Sequence, residues 1–239
     1  MVAMNSKLEF GTTVLRHKVE GVPVGRLTLR EMLWYAMPHR DLQPIALKWR
    51  LCNYKQFLSE LWRLQLMKTA SRVTGYPFLW SNLWLHYING RSGEVVMLGL
   101  AGLRLVTNAG RDEIVDEFDA ATAAGFDLTT FNFHGIGTGT TAPAVGNTAL
   151  ETELTTEYNP NSTRATGTQS QPTSDVYRTV ATNTLDSGTP AVTEMGVLSQ
   201  AATGGGVLLD RFTFAAVNLV GANGDGLQTT VNLTLPAGS

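Results

Sequence analysis

The segment FNFHGIGTGTTAPAVGNTALETEL, residues 131–154, divides the chain into two parts of different composition. Phe131 and Phe133 alternate as the inward residues of a strand do. Three glycines at alternate positions from Gly135 then allow another part of the backbone to approach closely, and Thr148 can cap the short apolar run that follows it. The chain before this segment is basic and rich in tryptophan, and the chain after it is rich in threonine, glycine and alanine. We therefore expect a strand and a tightly packed loop here.

Four short strands are predicted after this segment, at residues 176–185, 191–198, 208–220 and 227–235. They are rich in valine, threonine and leucine, and glycine or aspartate marks the turns between them. This regular spacing is typical of an antiparallel sandwich or barrel. The polar residues 155–176 predict a long loop, which in a compact domain is commonly a contact element.

Two helices and three strands are predicted within residues 45–119, before the segment. Residues 53–72 have helical spacing, with Phe57, Leu58, Leu61, Trp62 and Leu66 on the apolar side. Residues 83–106 predict two strands around a polar turn at Asn89–Gly93. Thr107 or Asn108 can cap a second helix, in which the acidic residues of 112–119 are expected to form a solvated face. Alternation over residues 45–51 predicts a strand there.

The predicted fold class is mainly β, with an antiparallel β-sandwich module at residues 111–239. Residues 42–110 form a basic, Trp-rich α+β region with one or two helices, and residues 1–41 form an N-terminal arm or hairpin. A single domain that combines these regions is the alternative, since a chain of 239 residues can bury a sizeable core in either arrangement.

The net charge of −2 conceals an uneven distribution of charged residues. Residues 1–111 hold 15 of the 18 Lys and Arg residues against six Asp and Glu, whereas residues 112–239 hold three against 14. Such a division favours two surfaces with different partners, or copies that attract each other head to tail.

All five tryptophans lie in the first 84 residues, among arginines. Trp and Arg are the residues that most often anchor protein–protein interfaces. Aromatic and basic residues together can also bind single-stranded nucleic acid, in which bases stack on the rings. We expect core or interface roles, and the candidate interface residues are Trp34, Arg40, Trp49, Arg50, Trp62, Arg63, Trp80 and Trp84.

The sequence holds no recognisable set of catalytic residues that would indicate a reaction. The glycine-rich loop lacks the Gly-Lys-Ser/Thr end of a phosphate-binding loop and is followed by strands, so no nucleotide or other cofactor is predicted. The four histidines are not at metal-ligand spacing. His134 is the most enzyme-like residue, although a structural role is expected for it. Cys52 is the single cysteine and is expected to be a buried small hydrophobe.

Targeting signals are also not evident in the sequence. Residues 1–10 lack the charged start, apolar run and cleavage site of a signal peptide. Apolar stretches are interrupted well short of a membrane span. We therefore expect a soluble protein with no membrane partner.

Five segments occur in an order that is specific when taken together: HGIGTGTTAPAVGNTALETEL (134–154), ATGTQS (165–170), YRTVATNTL (177–185), VTEMGVLSQAATGGGVLLDRFTF (192–214) and LQTTVNLTLPAG (227–238). This order resembles a family of structural proteins of tailed-bacteriophage virions. Members of that family carry a GTGTTAPAVGxTAL loop followed by YRTV, TExG and LxDRxxF strands. Residues 103–118 are similar to the segment that precedes this module, so the resemblance covers mainly residues 103–238.

The resemblance implies a β-sandwich module that is present in many copies, without catalysis, located in the virion after assembly in the host cytoplasm. Its expected partners are the major capsid protein and copies of itself. Our first hypothesis is a decoration or cement protein that stabilises the head shell. A tail, neck or fibre component in contact with tail proteins is one alternative. A virion protein that contacts packaged DNA through its basic half is another.

Overall fold

A computed structural model describes residues 29–74, 80–116 and 128–234 of the chain. Three α-helices lie in these ranges: α1 (Leu29–Ala36), α2 (Pro44–Thr74) and α3 (Asn108–Asp116). The strands are β1 (Trp80–Ile88), β2 (Val95–Leu105), β3 (Phe133–Gly137), β4 (Ala165–Thr166), β5 (Thr168–Thr173), β6 (Val176–Thr184), β7 (Ala191–Leu198), β8 (Leu208–Asn218) and β9 (Gly226–Thr234). Short 3₁₀ turns lie at Leu128–Thr130 and Gly221–Asn223.

The strands form two antiparallel sheets that pack face to face, so the predicted mainly β fold is confirmed. One sheet has the order β2-β1-β9-β6-β5 and the other has the order β4-β3-β7-β8. The core between them takes Leu85 and Val231 from the first sheet, and Ile136, Met195 and Phe212 from the second. Period-two alternation places these side chains on the inner faces.

The first sheet joins the two regions that we separated at residue 110. Strands β1 and β2 come from the basic region, and β5, β6 and β9 come from the β-sandwich module. Strand β9 pairs with β1 along its whole length, from Trp80 opposite Thr234 to Ile88 opposite Gly226, and with β6 on its other side. Strands from both sides of residue 110 therefore pair within one sheet.

Helices α1 and α2 cover the face of β1 and β2 that points away from the sandwich core. Met32 and Tyr35 of α1 and Phe57 and Leu61 of α2 pack on Trp84, and the rings of Tyr35 and Trp84 meet edge to face at 5.3 Å. The contacts of α1 place residues 29–36, which we had assigned to an arm or hairpin, in this second core. The strands predicted within residues 1–28 lie outside the described residues.

Helix α2 also closes one side of the sandwich, where β2 and β8 are the outer strands of their sheets. The Asn53 side chain donates to the Ala101 carbonyl of β2 at 3.0 Å and accepts from the Ala215 N–H of β8 at 2.9 Å. The Trp49 indole donates to the Ala215 carbonyl at 2.8 Å, and the Glu60 carboxylate accepts from the Leu103 N–H at 2.8 Å. Side chains of one helix thus satisfy the edge groups of two strands.

Several local predictions are confirmed and others are wrong. The hairpin at 83–106, the helix after Thr107 and the four last strands lie where we expected them, and Thr107 Oγ1 caps α3 by accepting from the Gly110 N–H at 3.1 Å. Residues 45–51 form the first part of helix α2 and are not a strand, so this prediction is wrong. The alternating apolar residues that suggested a strand lie on different sides of the helix. Residues 155–176 hold β4 and β5 rather than a continuous loop, and no helix follows Thr148.

Candidate functional site

The predicted interface residues lie in two different environments. Trp34, Arg40, Trp62 and Arg63 are exposed, and Trp62 has 67% of its surface accessible. By contrast Trp49, Arg50 and Trp84 are buried within the chain. The backbone of Trp80 begins β1, and its side chain lies outside what the structure describes. The structure therefore brings four residues of the predicted set to the surface and uses Trp49, Arg50 and Trp84 inside the fold.

Arg50 is a buried arginine that donates hydrogen bonds to backbone carbonyls of two other elements. Its guanidinium donates to the carbonyls of Leu98 at 2.6 Å and Trp34 at 3.2 Å, which joins α1, α2 and β2. Gly99 of β2 has φ +114°, and a Cβ at that position would lie 2.7 Å from Arg50 Nη2. The strand therefore needs glycine beside this arginine. Arg50 is a structural link between these elements, and its burial removes it from the outer surface.

Helix α2 carries a stripe of exposed apolar side chains along the face that points away from the sheets. At 100° per residue they lie within one narrow sector of the helix. They are Leu51, Leu58, Trp62, Leu66 and Val73. We had placed Leu58, Trp62 and Leu66 on the packed side together with Phe57 and Leu61, and this assignment is wrong for those three. Because both sides of the helix are apolar, spacing alone could not distinguish the outer side.

The exposed surface of α2 is basic as well as apolar. Lys48, Lys55 and Arg63 are exposed, and the helix has one acidic residue, Glu60, which is buried. Cys52 is also exposed on α2, contrary to our expectation of a buried thiol. We call the exposed apolar and basic residues of α2 the outer α2 surface. Such a surface suits a partner that is apolar and acidic.

The glycine-rich loop 138–152, within the segment 131–154, is fixed on the outer face of the second sheet by Glu194. This side chain is fully buried. Its carboxylate accepts from the N–H groups of Gly139 at 3.0 Å, Glu151 at 3.0 Å and Thr152 at 2.7 Å. Arg211 Nε of the neighbouring strand β8 donates to it at 2.8 Å. The charge is thus stabilised by backbone dipoles and one guanidinium.

Arg211 and Thr193 complete this arrangement, which we call the Glu194 cluster (Gly139, Glu151, Thr152, Thr193, Glu194 and Arg211). Arg211 Nη2 pairs with Glu151 at 3.1 Å. Thr193 Oγ1 donates to the Gly139 carbonyl at 2.8 Å, so the two neighbours Thr193 and Glu194 hold both backbone groups of one glycine. A Cβ at Gly139 would lie 2.5 Å from Glu194 Oε1, and only glycine fits there.

The glycines of β3 and β7 make room for the same loop. Gly135 pairs with Gly196 across the two strands, and Leu150 lies over both. A Cβ added at either glycine would approach a Leu150 methyl group to 3.0 Å. At Gly137 an added Cβ would collide with the backbone carbonyl of Thr152 in the same loop. The close backbone approach predicted for this segment is therefore confirmed, and it packs a loop rather than a phosphate group.

A second buried ion pair fixes the end of the segment. Arg164 is buried and forms a two-pronged pair with Glu153, at 2.5 Å from Nε and 2.8 Å from Nη2. Its Nη1 donates to the carbonyls of Gln200 and Gly205 at 2.8 and 2.9 Å. The charged residues of the motifs thus hold loops in place.

His134 lies between the two sheets and is fully buried. Its Nδ1 is 2.5 Å from Thr229 Oγ1 and its Nε2 is 3.0 Å from Thr179 Oγ1. Burial lowers the pKa of His134 to about 3, so the ring is neutral at physiological pH. A neutral ring that is saturated by two hydroxyls and shielded from solvent is a structural residue, as we expected.

A cavity of about 120 Å³ opens where the outer part of α2 meets the loop 138–152. Its apolar lining comes from Leu64, Met67, Leu103, Pro143, Ala144 and Val145. Its polar lining comes from Thr107, Glu60 and the arginines at 63, 104 and 211. Arg104 Nη2 pairs with Glu60 Oε1 at 2.5 Å. Burial raises the pKa of Glu60 although Arg104 opposes this shift.

The described residues contain neither a metal-ligand group nor a membrane-spanning helix. No group of three or more His, Cys, Asp or Glu side chains in residues 29–74, 80–116 and 128–234 is placed to hold a metal ion. No helix in these ranges has the length and apolar character that crossing a membrane requires.

Comparisons with known proteins give no match at any level. No protein-family model matches the chain, no curated protein matches its sequence, and no solved structure matches its fold.

Proposed function

We propose that this protein is a non-enzymatic structural protein of a tailed-phage virion, and that it is a decoration or cement protein bound to the head shell. The motif order at residues 134–238 is the origin of this proposal. In this proposal its partners are the major capsid protein and further copies of the chain. The body of two sheets would carry the loops, and the outer α2 surface would contact the shell.

The observation that carries the proposal is the outer α2 surface. Trp62, Leu66 and Val73 are 67%, 53% and 81% exposed on a helix whose other side is fully engaged with β2 and β8. Large exposed apolar side chains in one stripe mark an interaction site more often than free surface. Trp and Arg side by side, as at Trp62 and Arg63, are favoured anchors of such sites.

The buried ion pairs are a second observation that supports a structural role. Glu194 with Arg211 and Glu153 with Arg164 are each occupied by their partners and by backbone groups, and they hold surface loops. Charged groups in an active site are instead expected to have hydrogen-bonding capacity free for a substrate, whereas Arg211, which lines the cavity beside α2, is occupied by Glu151 and Glu194. This arrangement favours a stable particle component whose loops keep one shape.

The copy number in purified virions tests the proposal. Quantitative mass spectrometry would compare this protein with the major capsid protein. A ratio near one, or near one third, is expected for a shell-bound protein. About three to twelve copies would instead indicate a tail, neck or fibre component, and absence from the particle would overturn the structural role.

A nucleic-acid role is the second candidate, because exposed Trp62 lies on the same helix as exposed Lys55 and Arg63. Bases can stack on such rings while cations meet phosphates. This role predicts DNA binding that weakens steeply between 50 and 200 mM salt, on the order of tenfold or more for each few phosphate contacts. Binding that is unaffected by salt, or no binding at low salt, would exclude it.

A further inference from the structure

The cavity beside α2 combines an apolar interior with an unpaired cation at its edge. Leu64, Met67 and Val145 supply apolar walls from α2 and from the loop 138–152. A space of about 120 Å³ is large enough for one aliphatic side chain and too small for a folded element. The cavity therefore fits a single anchor residue rather than a broad surface.

The charges around the cavity leave one positive group available. Glu60 is paired with Arg104, and Glu151 and Glu194 are paired with Arg211. Arg63 is exposed and forms no ion pair with any residue in the described ranges. A carboxylate next to the anchor residue would meet this guanidinium, with which it can form a two-pronged pair.

Arg63 also joins the cavity to the outer α2 surface. On the helix it lies between Met67, which lines the cavity, and Leu66 and Trp62, which are exposed. Val145 is 46% exposed on the loop side. A partner segment with its anchor in the cavity would therefore extend over apolar side chains on both sides.

We propose that this cavity is a socket for an acidic–apolar segment of another virion protein, in which one aliphatic side chain enters between Met67 and Val145 and an adjacent carboxylate pairs with Arg63. The proposal rests on the proposed virion function and specifies its contact. Charge complementarity selects this occupant: an aliphatic lining offers no ring on which a base could stack, and the unpaired guanidinium attracts an acidic segment.

Reconstitution on particles tests the socket separately from the virion role. Particles from a phage with this gene deleted would be mixed with purified wild-type protein, with Arg63→Glu and with the matched control Arg91→Glu, which reverses an exposed charge in the turn between β1 and β2, outside the outer α2 surface. Bound protein would be measured by sedimentation and mass spectrometry. We expect Arg63→Glu to reduce binding at least tenfold and Arg91→Glu to change it less than twofold.

The outcomes separate the two proposals. Equal binding of wild type and Arg63→Glu would overturn the socket and leave the virion role standing, whereas no binding of the wild type would overturn the virion role. Equal losses in both variants would indicate a general charge effect and would also overturn the socket. Circular dichroism and the melting temperature of each variant must match the wild type, as both positions are exposed.

A photo-cross-linker identifies the occupant directly. p-Benzoylphenylalanine in place of Val145, irradiated on assembled particles, should attach to a segment of another protein that has an apolar residue beside Asp, Glu or a chain-terminal carboxylate. A cross-link between two copies of this chain, to DNA, or to a segment without a carboxylate would overturn the proposed occupant.

Discussion

Glu194 is the residue on which the position of the loop 138–152 most depends. It accepts three backbone N–H groups and the Arg211 guanidinium while fully buried. The substitution Glu194→Gln keeps the size of the side chain but removes its negative charge. The new amide NH₂ would face the backbone N–H groups and the Arg211 guanidinium, which are also donors. We expect a loss of about 3 kcal/mol or more in the free energy of unfolding, because the buried Arg211 guanidinium loses its buried partner and retains the more exposed Glu151. Urea denaturation measures this loss.

The control for this variant is Asp186→Asn, which changes an exposed carboxylate in a turn and should alter stability by less than about 0.5 kcal/mol. A Glu194→Gln variant as stable as this control would show that the Glu194 cluster does not hold the loop.

His134 gives the fold a defined dependence on pH. Burial lowers its pKa to about 3 from an ordinary 6.5, so the folded protein keeps the ring neutral while the unfolded chain takes up a proton. The stabilisation is fully present above pH 6.5 and is lost as pH falls toward 3. Between pH 5.5 and 4, wild-type stability should fall about 1.4 kcal/mol per pH unit faster than that of His134→Gln.

Parallel urea denaturation series at several pH values measure the two slopes. Equal slopes for wild type and His134→Gln would mean that the imidazole is accessible to protons in the folded state.

Helix α2 covers the outer strands of both sheets. Asn53 is fully buried and bonds to β2 and β8 at once. Asn53→Leu leaves the Ala101 carbonyl and the Ala215 N–H without this partner, which should cost about 2–4 kcal/mol. Thermal unfolding measures the change. Ser59→Ala, at an exposed position of the same helix, is the matched control and should be nearly neutral.

Prediction from the sequence succeeded for elements in which the periodicity of the apolar residues and the positions of the turn residues indicate the same element. Strands β6 to β9 combine alternation with glycine- or aspartate-marked turns, and they lie where the pattern places them. Strand β5, TQSQPT, was missed because it is an exposed polar edge strand with no inner-face pattern. The outer side of α2 was misassigned because apolar residues occur all around that helix.

The Glu194 cluster could have been suspected from one signal. Glu194 and Arg211 each interrupt an apolar strand sequence, TEMGV and LLDRF, and a charge in such a run is usually buried with a partner. The pairing itself depends on the register of β7 against β8, in which Gly196 lies opposite Arg211. No spacing rule along the chain gives that register.

The whole molecule includes α1 in its packed body, and this changes where the N-terminal region can be cut. Met32, Tyr35 and Ala36 are buried against Trp84 and Leu100. A protein that lacks residues 1–41 should therefore be less stable than one that lacks residues 1–28. The difference should be several kcal/mol, at about 1.5–3 kcal/mol for each large apolar side chain that is removed from the core.

Comparing the two truncated proteins by urea denaturation isolates the contribution of residues 29–41. Equal stabilities would mean that α1 is an independent appendage. A shell-binding assay that relies on truncation should accordingly use the cut after residue 28, so that lost binding is not confused with lost folding.

The closure of one side of the sandwich by α2 limits how the sheets can grow. A sheet extends into a fibre only if each subunit offers two open strand edges, as a monomer needs two reactive ends to form a polymer. On the α2 side, side chains from the helix occupy edge groups of β2 and β8, and among the described strands β4 and β5 are the outer ones on the other side. If copies pair through their strands, we therefore expect the pairing on the side of β4 and β5. By occupying edge groups on its own side, α2 opposes the growth of both sheets there.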